Sequence, residues 1–189
     1  VHPNQIWRKT GMADGDLLML SKPLGVGVLL STREQGDEAI ALEQMKVSNL
    51  GARNSLAELG SAVHAVTDVT GFGLIGHLTE MLGDSFLTAQ VSLPSQAVLP
   101  QAQALFDAGK RTSADSRNRA AIDREVQGLT EGNSQSALFD PQTNGGLLAS
   151  IDPAFEIQLI EQGFITVGKV VTGSGKIEIL SKNSKQKDK

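Results

Sequence analysis

Apolar residues recur along the chain with two different periods, and these periods predict most of its elements. Short apolar runs of strand length predict strands at 16–21, 62–67, 86–93, 147–151, 166–171 and 176–180. Helical spacing predicts helices at 74–82, 99–108 and 153–162, and two short helices within 37–59 that break near Gly51. Another apolar run occupies 28–31, and the polar stretch 109–133 contains one further predicted helix, at 119–129.

The order of these elements predicts the fold class. Strands and helices alternate irregularly, and the last two strands resemble a terminal hairpin. This pattern favours an α+β domain with α/β/α layers and a mixed sheet over a purely parallel, doubly wound sheet. We expect the domain to span 16–181, between a connector at 1–15 that leads from a missing N-terminal half and a flexible basic tail at 182–189.

Composition narrows the class of protein. The 189 residues are 40% hydrophobic and 20% charged, which is typical of a soluble globular domain with one core. The absence of cysteine excludes disulfides, a thiolate nucleophile and cysteine-ligated metals within this chain. A net charge of −4 argues against nucleic-acid binding, and no apolar run reaches membrane-spanning length. We therefore expect a cytoplasmic protein with neither nucleic-acid nor membrane partners.

One segment, "VTDVTGFGLIGHLTEM" at 66–81, combines an acidic residue with a glycine-spaced helix start. Gly71, Gly73 and Gly76 match the G-x-G-x-x-G pattern of dinucleotide-binding helices. That fingerprint also requires an acidic residue about 20 positions later, yet 90–103 contains none. Asp68 directly before the glycines would moreover repel a phosphate. The pattern therefore fails as a dinucleotide site.

A divalent metal ion bound between Asp68 and a phosphate would replace their repulsion by attraction of both groups to the metal. Carboxylate and phosphate oxygens are the ligands that Mg²⁺ prefers, and the start of a helix favours an anion. Asp68 followed by a glycine turn is thus coherent with a metal-phosphate site, in which the glycines leave one side of the helix bare. An equally weighted alternative is a plain turn with Asp68 as its cap and His77 partly buried at the surface. A role of His77 as a metal ligand is disfavoured because Glu80 is its only partner at helical spacing.

Other polar turns offer weaker candidates. "DPQTNGG" at 140–146 is either a turn or a cleft lining that uses Gln142, Thr143 and Asn144. In "KPLGVG" at 22–27, Lys22 either approaches an anion or is an exposed lysine before a turn. The stretch 110–124 has five basic and two acidic residues and forms either a phosphate-binding patch or a solvated face. No serine lies in a G-x-S-x-G context, so no nucleophile and base pair is evident.

Three motifs resemble one known family. "SKPLGVGVL" at 21–29, "TDVTGFGLIGHLTEM" at 67–81 and "DPQTNGGLL" at 140–148 are similar to the C-terminal domain of selenophosphate synthetase, also called selenide, water dikinase. The motifs occur in the family's order, and the resemblance covers about 16–180. It places the chain in the superfamily of aminoimidazole ribonucleotide synthetase and implies a three-layer α/β domain that is partly ferredoxin-like.

The resemblance also implies an activity. In that family a two-domain enzyme, homodimeric when full length, uses ATP, water, selenide and Mg²⁺ to make selenophosphate, AMP and phosphate. It implies that Asp68 contributes to the metal-phosphate site and that Thr67 and Thr70 line the same turn, close to the nucleotide with Gly71 and Gly73.

Two features depart from the family pattern. Asn144 stands where the family usually has serine, and a family loop ending in Arg-Asn matches Arg117 and Asn118 only loosely. The family's catalytic cysteine or selenocysteine, its partner lysine and most metal-binding carboxylates belong to the N-terminal half. We therefore expect this chain alone to be inactive. A non-catalytic nucleotide-binding or assembly module of the same fold is the alternative, and a superfamily relative with another substrate is disfavoured.

Overall fold

Alternating apolar residues form one mixed sheet in a computed structural model of the protein, which describes residues 6–130 and 135–180. Within these residues seven strands lie in the order β2, β5, β1, β6, β3, β7 and β4. Their bounds are β1 Leu17–Leu20, β2 Val63–Asp68, β3 Leu87–Val91, β4 Val126–Gln127, β5 Leu147–Ile151, β6 Ile165–Thr172 and β7 Ile177–Ile179.

Helices occupy most of the segments between the strands. They are α1 Val26–Thr32, α2 Gln35–Lys46, α3 Leu50–Glu58, α4 Gly73–Leu82, α5 Pro100–Asp107, α6 Asp115–Ala120 and α7 Glu156–Glu161. A short 3₁₀ turn, Pro153–Phe155, leads into α7. No helix of the described residues is long and apolar enough to cross a bilayer.

The two faces of the sheet are covered by different helices. Successive side chains of a strand point to opposite faces, so Leu18 and Leu20 of β1 pack with α4 while Met19 packs with α3 and α7. A third buried cluster joins α1, α2 and α5 around Phe106. The predicted layered α+β fold with a mixed sheet is therefore confirmed.

The register of the central strands brings one end of each of three strands, β1, β2 and β5, together. β5 lies antiparallel between β1 and β2, with Leu148 opposite Leu20 and Leu147 opposite Asp68. The carboxyl ends of β1 and β2 consequently lie beside the amino end of β5. The turns that follow β1 and β2 and precede β5 are thus neighbours in space although they are far apart in sequence.

The prediction that the last two strands form a terminal hairpin is wrong. β6 and β7 do reverse direction, but β3 lies between them, antiparallel to β6 and parallel to β7. The turn after β6 crosses the start of β3, where the Gly173 N–H donates to the Phe86 carbonyl oxygen at 2.9 Å. A Cβ at Gly173 would lie 2.0 Å from Thr88 Oγ1, so only glycine allows this crossing.

Two helix predictions also need correction. The helix in the polar stretch is α6, Asp115–Ala120, rather than 119–129, because Val126–Gln127 pairs with β7 as an edge strand instead. The break between α2 and α3 lies at 47–49, and Gly51 belongs to the first turn of α3. The apolar run at 28–31 lies within α1.

The described part of the connector lies along the outer edge of β2. The Val66 N–H donates to the Arg8 carbonyl oxygen at 3.0 Å, a Cβ at Gly11 would lie 2.9 Å from the His64 carbonyl oxygen, and Met12 is buried in the core. Residues 8–11 therefore run antiparallel to β2, with Arg8 nearer to the carboxyl end of that strand than Gly11. The predicted tail at 182–189 lies outside the described residues, and the domain bounds 16–181 stay a prediction.

Candidate functional site

Three turns meet at one end of the sheet: 21–27 after β1, 68–73 after β2 and 140–146 before β5. The Val69 N–H donates to the Gly146 carbonyl oxygen at 2.9 Å, and the Gln142 N–H donates to the Thr70 carbonyl oxygen at 3.0 Å. The side chain of Asn118, on α6, donates to the Gly71 carbonyl oxygen at 2.9 Å. All three motifs of the sequence therefore belong to one cluster.

Glycines allow the backbones of these turns to touch. A Cβ at Gly145 would lie 2.1 Å from the Val69 carbonyl oxygen, and one at Gly27 would lie 2.3 Å from the Pro141 carbonyl oxygen. A Cβ at Gly146 would lie 2.5 Å from the backbone nitrogen of Lys22. These distances are too short for a real Cβ, so the glycines of 22–27 and 140–146 serve close backbone packing.

Asp68 is the exposed carboxylate of this cluster. It is the last residue of β2, directly after the buried Thr67, whose hydroxyl donates to the Asp68 carbonyl oxygen at 3.4 Å. Pairing with Leu147 of β5 fixes the backbone of Asp68 while its side chain faces solvent. Thr143 in the turn 140–146 is also exposed. The sheet thus presents one carboxylate on a rigid strand end.

The glycines between β2 and α4 have different surroundings. Gly73 has φ +71° and is buried, and a Cβ there would lie 2.8 Å from the Phe139 carbonyl carbon. A Cβ at Gly76 would lie 2.7 Å from the Cβ of Phe72. The prediction that the glycines leave one side of the helix bare therefore fails at Gly73, which Phe139 covers, whereas Gly76 lies against Phe72 and still lines a surface cavity with Glu80. Gly71 has no atom within 4 Å of its Cβ position and remains open to a ligand.

His77 is buried rather than partly exposed, since only 4% of it is accessible. Its Nε2 accepts from the Thr70 N–H at 2.9 Å, and its Nδ1 lies 3.3 Å from Glu80 Oε2. No group of three or more histidine, aspartate or glutamate side chains within the described residues could hold a metal. The i, i+3 spacing of His77 and Glu80 was the sequence signal for this pair.

Gln142 does not line a cleft, because it is buried and faces inward. Its Oε1 accepts from the backbone N–H groups of Gly25 and Val26 at 3.2 Å each, and Asp140 Oδ2 accepts from the Gly27 N–H at 3.0 Å. Together the two side chains satisfy the first N–H groups of α1 from a loop more than 100 positions away in sequence. The sequence signal for this remote cap is the absence of a capping side chain at the N-cap position, Gly25.

Asp140 was not among the predicted site residues, although its surroundings shift the pKa of its carboxyl strongly. It is 1% exposed, its Oδ1 has no hydrogen-bond partner within the described residues, and Gln142 donates to its Oδ2 at 2.9 Å. Burial raises the pKa of the Asp140 carboxyl to about 7, against the lowering effect of its hydrogen bonds and with a further increase from the charge of Asp115.

Lys22 is buried too, so the interpretation as an exposed lysine is wrong. Its Nζ donates to the Val47 carbonyl oxygen at 2.6 Å and to the Asn144 carbonyl oxygen at 2.7 Å. Burial lowers the pKa of this ammonium group. Asn144 has φ 49°, and its side chain donates to the Met45 carbonyl oxygen. Lys22 and Asn144 therefore tie the turn 140–146 to the joint between α2 and α3.

The basic stretch 110–124 does not form one phosphate-binding face. The Arg119 guanidinium pairs with Asp115 at 2.7 Å and lies 4.0 Å above the ring of Phe139. Arg124 donates to two backbone carbonyl oxygens. Asn118 is buried and contacts the Asp68 turn through Gly71, whereas Arg117 is exposed. Several of these cations therefore have structural partners.

A comparison with protein families identifies the domain. The model of the family described as AIR synthase related protein, C-terminal domain, matches residues 13–177. The chain belongs to this family. The three turns that meet at the candidate site, and all seven strands except the last two residues of β7, lie within the matched range.

Two curated relatives of this AIR synthase related domain are proteins named selenide, water dikinase. The chain is 35% identical over 196 residues to the "Selenide, water dikinase" of Paraburkholderia xenovorans, and the match covers 95% of the chain and 54% of the relative. It is 36% identical over 193 residues to the protein of the same name from Dechloromonas aromatica, with 95% and 55% covered. The chain thus spans about half the length of these relatives, and the sequence resemblance is confirmed.

Solved structures share the fold at lower identity. The E. coli hydrogenase maturation protein HypE superposes with a TM-score of 0.66 at 17% identity, covering 97% of this chain and 52% of HypE. Thiamine-monophosphate kinase from Stenotrophomonas maltophilia has a TM-score of 0.61 at 17% identity, covering 95% of this chain and 54% of that chain. These structures confirm the fold of the AIR synthase related domain.

Proposed function

We propose that this chain is the C-terminal domain of a selenophosphate synthetase and completes the Mg-ATP site at which selenide is phosphorylated to selenophosphate. The relatives named selenide, water dikinase support the activity, since the chain matches about half of each. The observation that carries the proposal at the residue level is the exposed carboxylate of Asp68 at the end of β2.

Asp68 is a suitable ligand for Mg²⁺ by its chemistry. Mg²⁺ commonly takes one or two protein carboxylates and fills its other positions with phosphate oxygens and water. A bound Mg²⁺ would neutralise phosphate charge that Asp68 would otherwise repel. The exposed Thr143 and the open backbone at Gly71 leave room for the phosphates beside this carboxylate.

The course of the connector supports an N-terminal partner domain. Because residues 8–11 run antiparallel to β2, the preceding chain is directed towards the end of the strand that carries Asp68. An N-terminal half would then supply the other carboxylates of the metal site and a nucleophile, which cannot be a cysteine of this cysteine-free chain. The proposal accordingly includes a homodimeric, cytoplasmic full-length enzyme and an inactive isolated domain.

The test joins this chain to the N-terminal half of the Paraburkholderia relative and measures selenide-dependent formation of AMP. Loss of one metal ligand removes several kcal/mol of charge stabilisation, so we expect Asp68→Asn to lower the rate by roughly 100-fold. Asp84→Asn is the matched control, because Asp84 is also exposed but lies after α4. Near-normal turnover of Asp68→Asn would remove Asp68 from the mechanism.

Calorimetry separates the half-enzyme from a non-catalytic nucleotide-binding module of the same fold. Mg-ADP is titrated into the isolated chain and into the joined protein. A half-site predicts micromolar binding only in the joined protein. Micromolar binding of Mg-ADP by the isolated chain would instead favour the autonomous nucleotide-binding module.

A further inference from the structure

A buried histidine holds the turn that follows Asp68. His77 Nε2 lies 2.9 Å from the backbone nitrogen of Thr70 and 3.0 Å from Thr70 Oγ1. The Thr70 carbonyl oxygen accepts from the N–H groups of Gly73 at 3.1 Å and Gln142 at 3.0 Å. Both backbone polar groups of Thr70, two residues after Asp68, are thus hydrogen-bonded, and His77 provides the only acceptor for its N–H within the described residues.

The hydrogen bonds determine the protonation state of the ring. A backbone N–H can only donate, so Nε2 of His77 must carry a lone pair, and the proton of the neutral ring must lie on Nδ1. Nδ1 can then donate to Glu80 Oε2 at 3.3 Å. The hydrogen bond from Lys9, at 2.8 Å, lowers the pKa of the Glu80 carboxyl, so Glu80 is an ionised acceptor.

We propose that His77 is a positioning residue, whose neutral, Nδ1-protonated ring fixes Thr70 and thereby the turn that directly follows Asp68. Glu80 and Lys9 select this tautomer, and Lys9 lies in the segment before β1 that runs along β2. The consequence for activity rests on the proposed role of Asp68. The hydrogen-bonded chain from Lys9 to Thr70 also connects the path of the connector to the metal-binding end of β2.

A purely apolar side chain could not replace His77. The ring is 96% buried on α4 and packs at 6.0 Å from the ring of Phe72. An aliphatic residue of similar size would fill the space but would leave the Thr70 N–H without its partner, which favours opening of the turn. Glutamine at position 77 offers an oxygen close to the place of Nε2 and is therefore the conservative variant.

The first test needs neither nucleotide nor activity. The ¹⁵N spectrum of the imidazole in the 189-residue chain is expected to show a protonated Nδ1 and an unprotonated Nε2. Hydrogen exchange of the Thr70 amide is expected to accelerate about 2- to 10-fold in His77→Leu and to return towards wild type in His77→Gln. The Val66 amide, bonded to Arg8, is the internal control. A protonated Nε2, or unchanged Thr70 exchange in His77→Leu, would overturn the proposal.

The second test uses the chain joined to the N-terminal half. We expect His77→Leu to raise the half-saturating Mg²⁺ concentration several-fold with a smaller change in kcat, and His77→Gln to reverse the change. An unchanged Mg²⁺ requirement with accelerated Thr70 exchange would refute the link to Asp68. If Asp68→Asn is itself fully active, the proposed function fails, while the NMR results still decide the role of His77. If His77→Leu does not fold, the imidazole spectrum of the wild-type chain and the exchange of the Thr70 amide in Glu80→Leu decide the role of His77 instead.

Discussion

Replacing Asp140 by asparagine tests the electrostatics at the base of the candidate site. The carboxyl is buried and has no counter-ion contact within the described residues, and its Oδ2 accepts from the Gly27 N–H and the Gln142 side chain. Asparagine keeps an acceptor oxygen for these donors and removes the charge. It therefore imitates the protonated form of Asp140 in nearly the same volume.

The magnitude follows from the raised pKa. Burial moves the pKa of the Asp140 carboxyl from 3.8 to about 7. Between these two values the folded chain binds more protons than the unfolded chain, so the free energy of unfolding falls as the pH rises through this window. At about 1.4 kcal/mol per unit, the charged carboxylate costs about 4 kcal/mol above pH 7 and almost nothing below pH 4. Asp140→Asn should remove this cost.

Urea denaturation of the 189-residue chain at pH 5 and pH 8 measures the effect. We expect Asp140→Asn to stabilise the chain by up to about 4 kcal/mol at pH 8 and by only about 1.5–2 kcal/mol at pH 5. The exposed Asp84→Asn is the control and should change the free energy of unfolding by less than about 0.5 kcal/mol at either pH. A destabilised Asp140→Asn at pH 8, or a difference that does not depend on pH, would refute the reasoning.

Two further variants test the packing of the turns by urea denaturation. Lys22→Met removes two hydrogen bonds of a buried ammonium group, to the carbonyl oxygens of Val47 and Asn144, and leaves Val47 with only the 3.5 Å hydrogen bond from the Asn144 side chain. We therefore expect a loss of about 2–4 kcal/mol, against little change for the exposed Lys46→Met. Equal stability would show that Lys22 is dispensable. Gly145→Ala places a Cβ 2.1 Å from the Val69 carbonyl oxygen and should cost at least about 3 kcal/mol. Gly51 lies in α3 with open space at its Cβ position, so Gly51→Ala should instead stabilise the chain by about 0.5–1 kcal/mol. Similar changes in stability for Gly145→Ala and Gly51→Ala would contradict the packing argument.

Local patterns were sufficient to predict most strands and helices, since the apolar side chains that create a pattern are the ones that become buried. Met19 and its neighbours in β1 alternate between two covered faces, and α4 places its apolar residues against the sheet. The prediction failed where pairing between distant segments decides the structure. Val126–Gln127 has a helical pattern in sequence but joins β7 as an edge strand.

The residues around the site were harder to predict than the elements. The three motifs meet in one cluster, but sequence alone shows neither this meeting nor which polar side chain faces solvent. Gln142 and Lys22 were expected near a ligand or at the surface, yet both are buried and bonded to backbone groups of other turns. Asp140 accepts from the N–H of Gly27, 113 positions earlier in the first turn of α1, a contact that no local pattern contains.

The polar residues of the cluster therefore divide into two groups with different expected responses to mutation. Lys22, Asp140 and Gln142 direct their polar atoms to backbone groups and to one another, so their replacement should change stability first. Asp68 faces solvent on a strand end whose backbone is already fixed by β5, so its replacement should leave stability unchanged and affect catalysis alone. A domain that uses most of the polar side chains in these turns for its own structure offers few groups to a ligand. This is the arrangement expected of half a site, in which a second domain supplies the remaining ligands of the metal and the reacting groups.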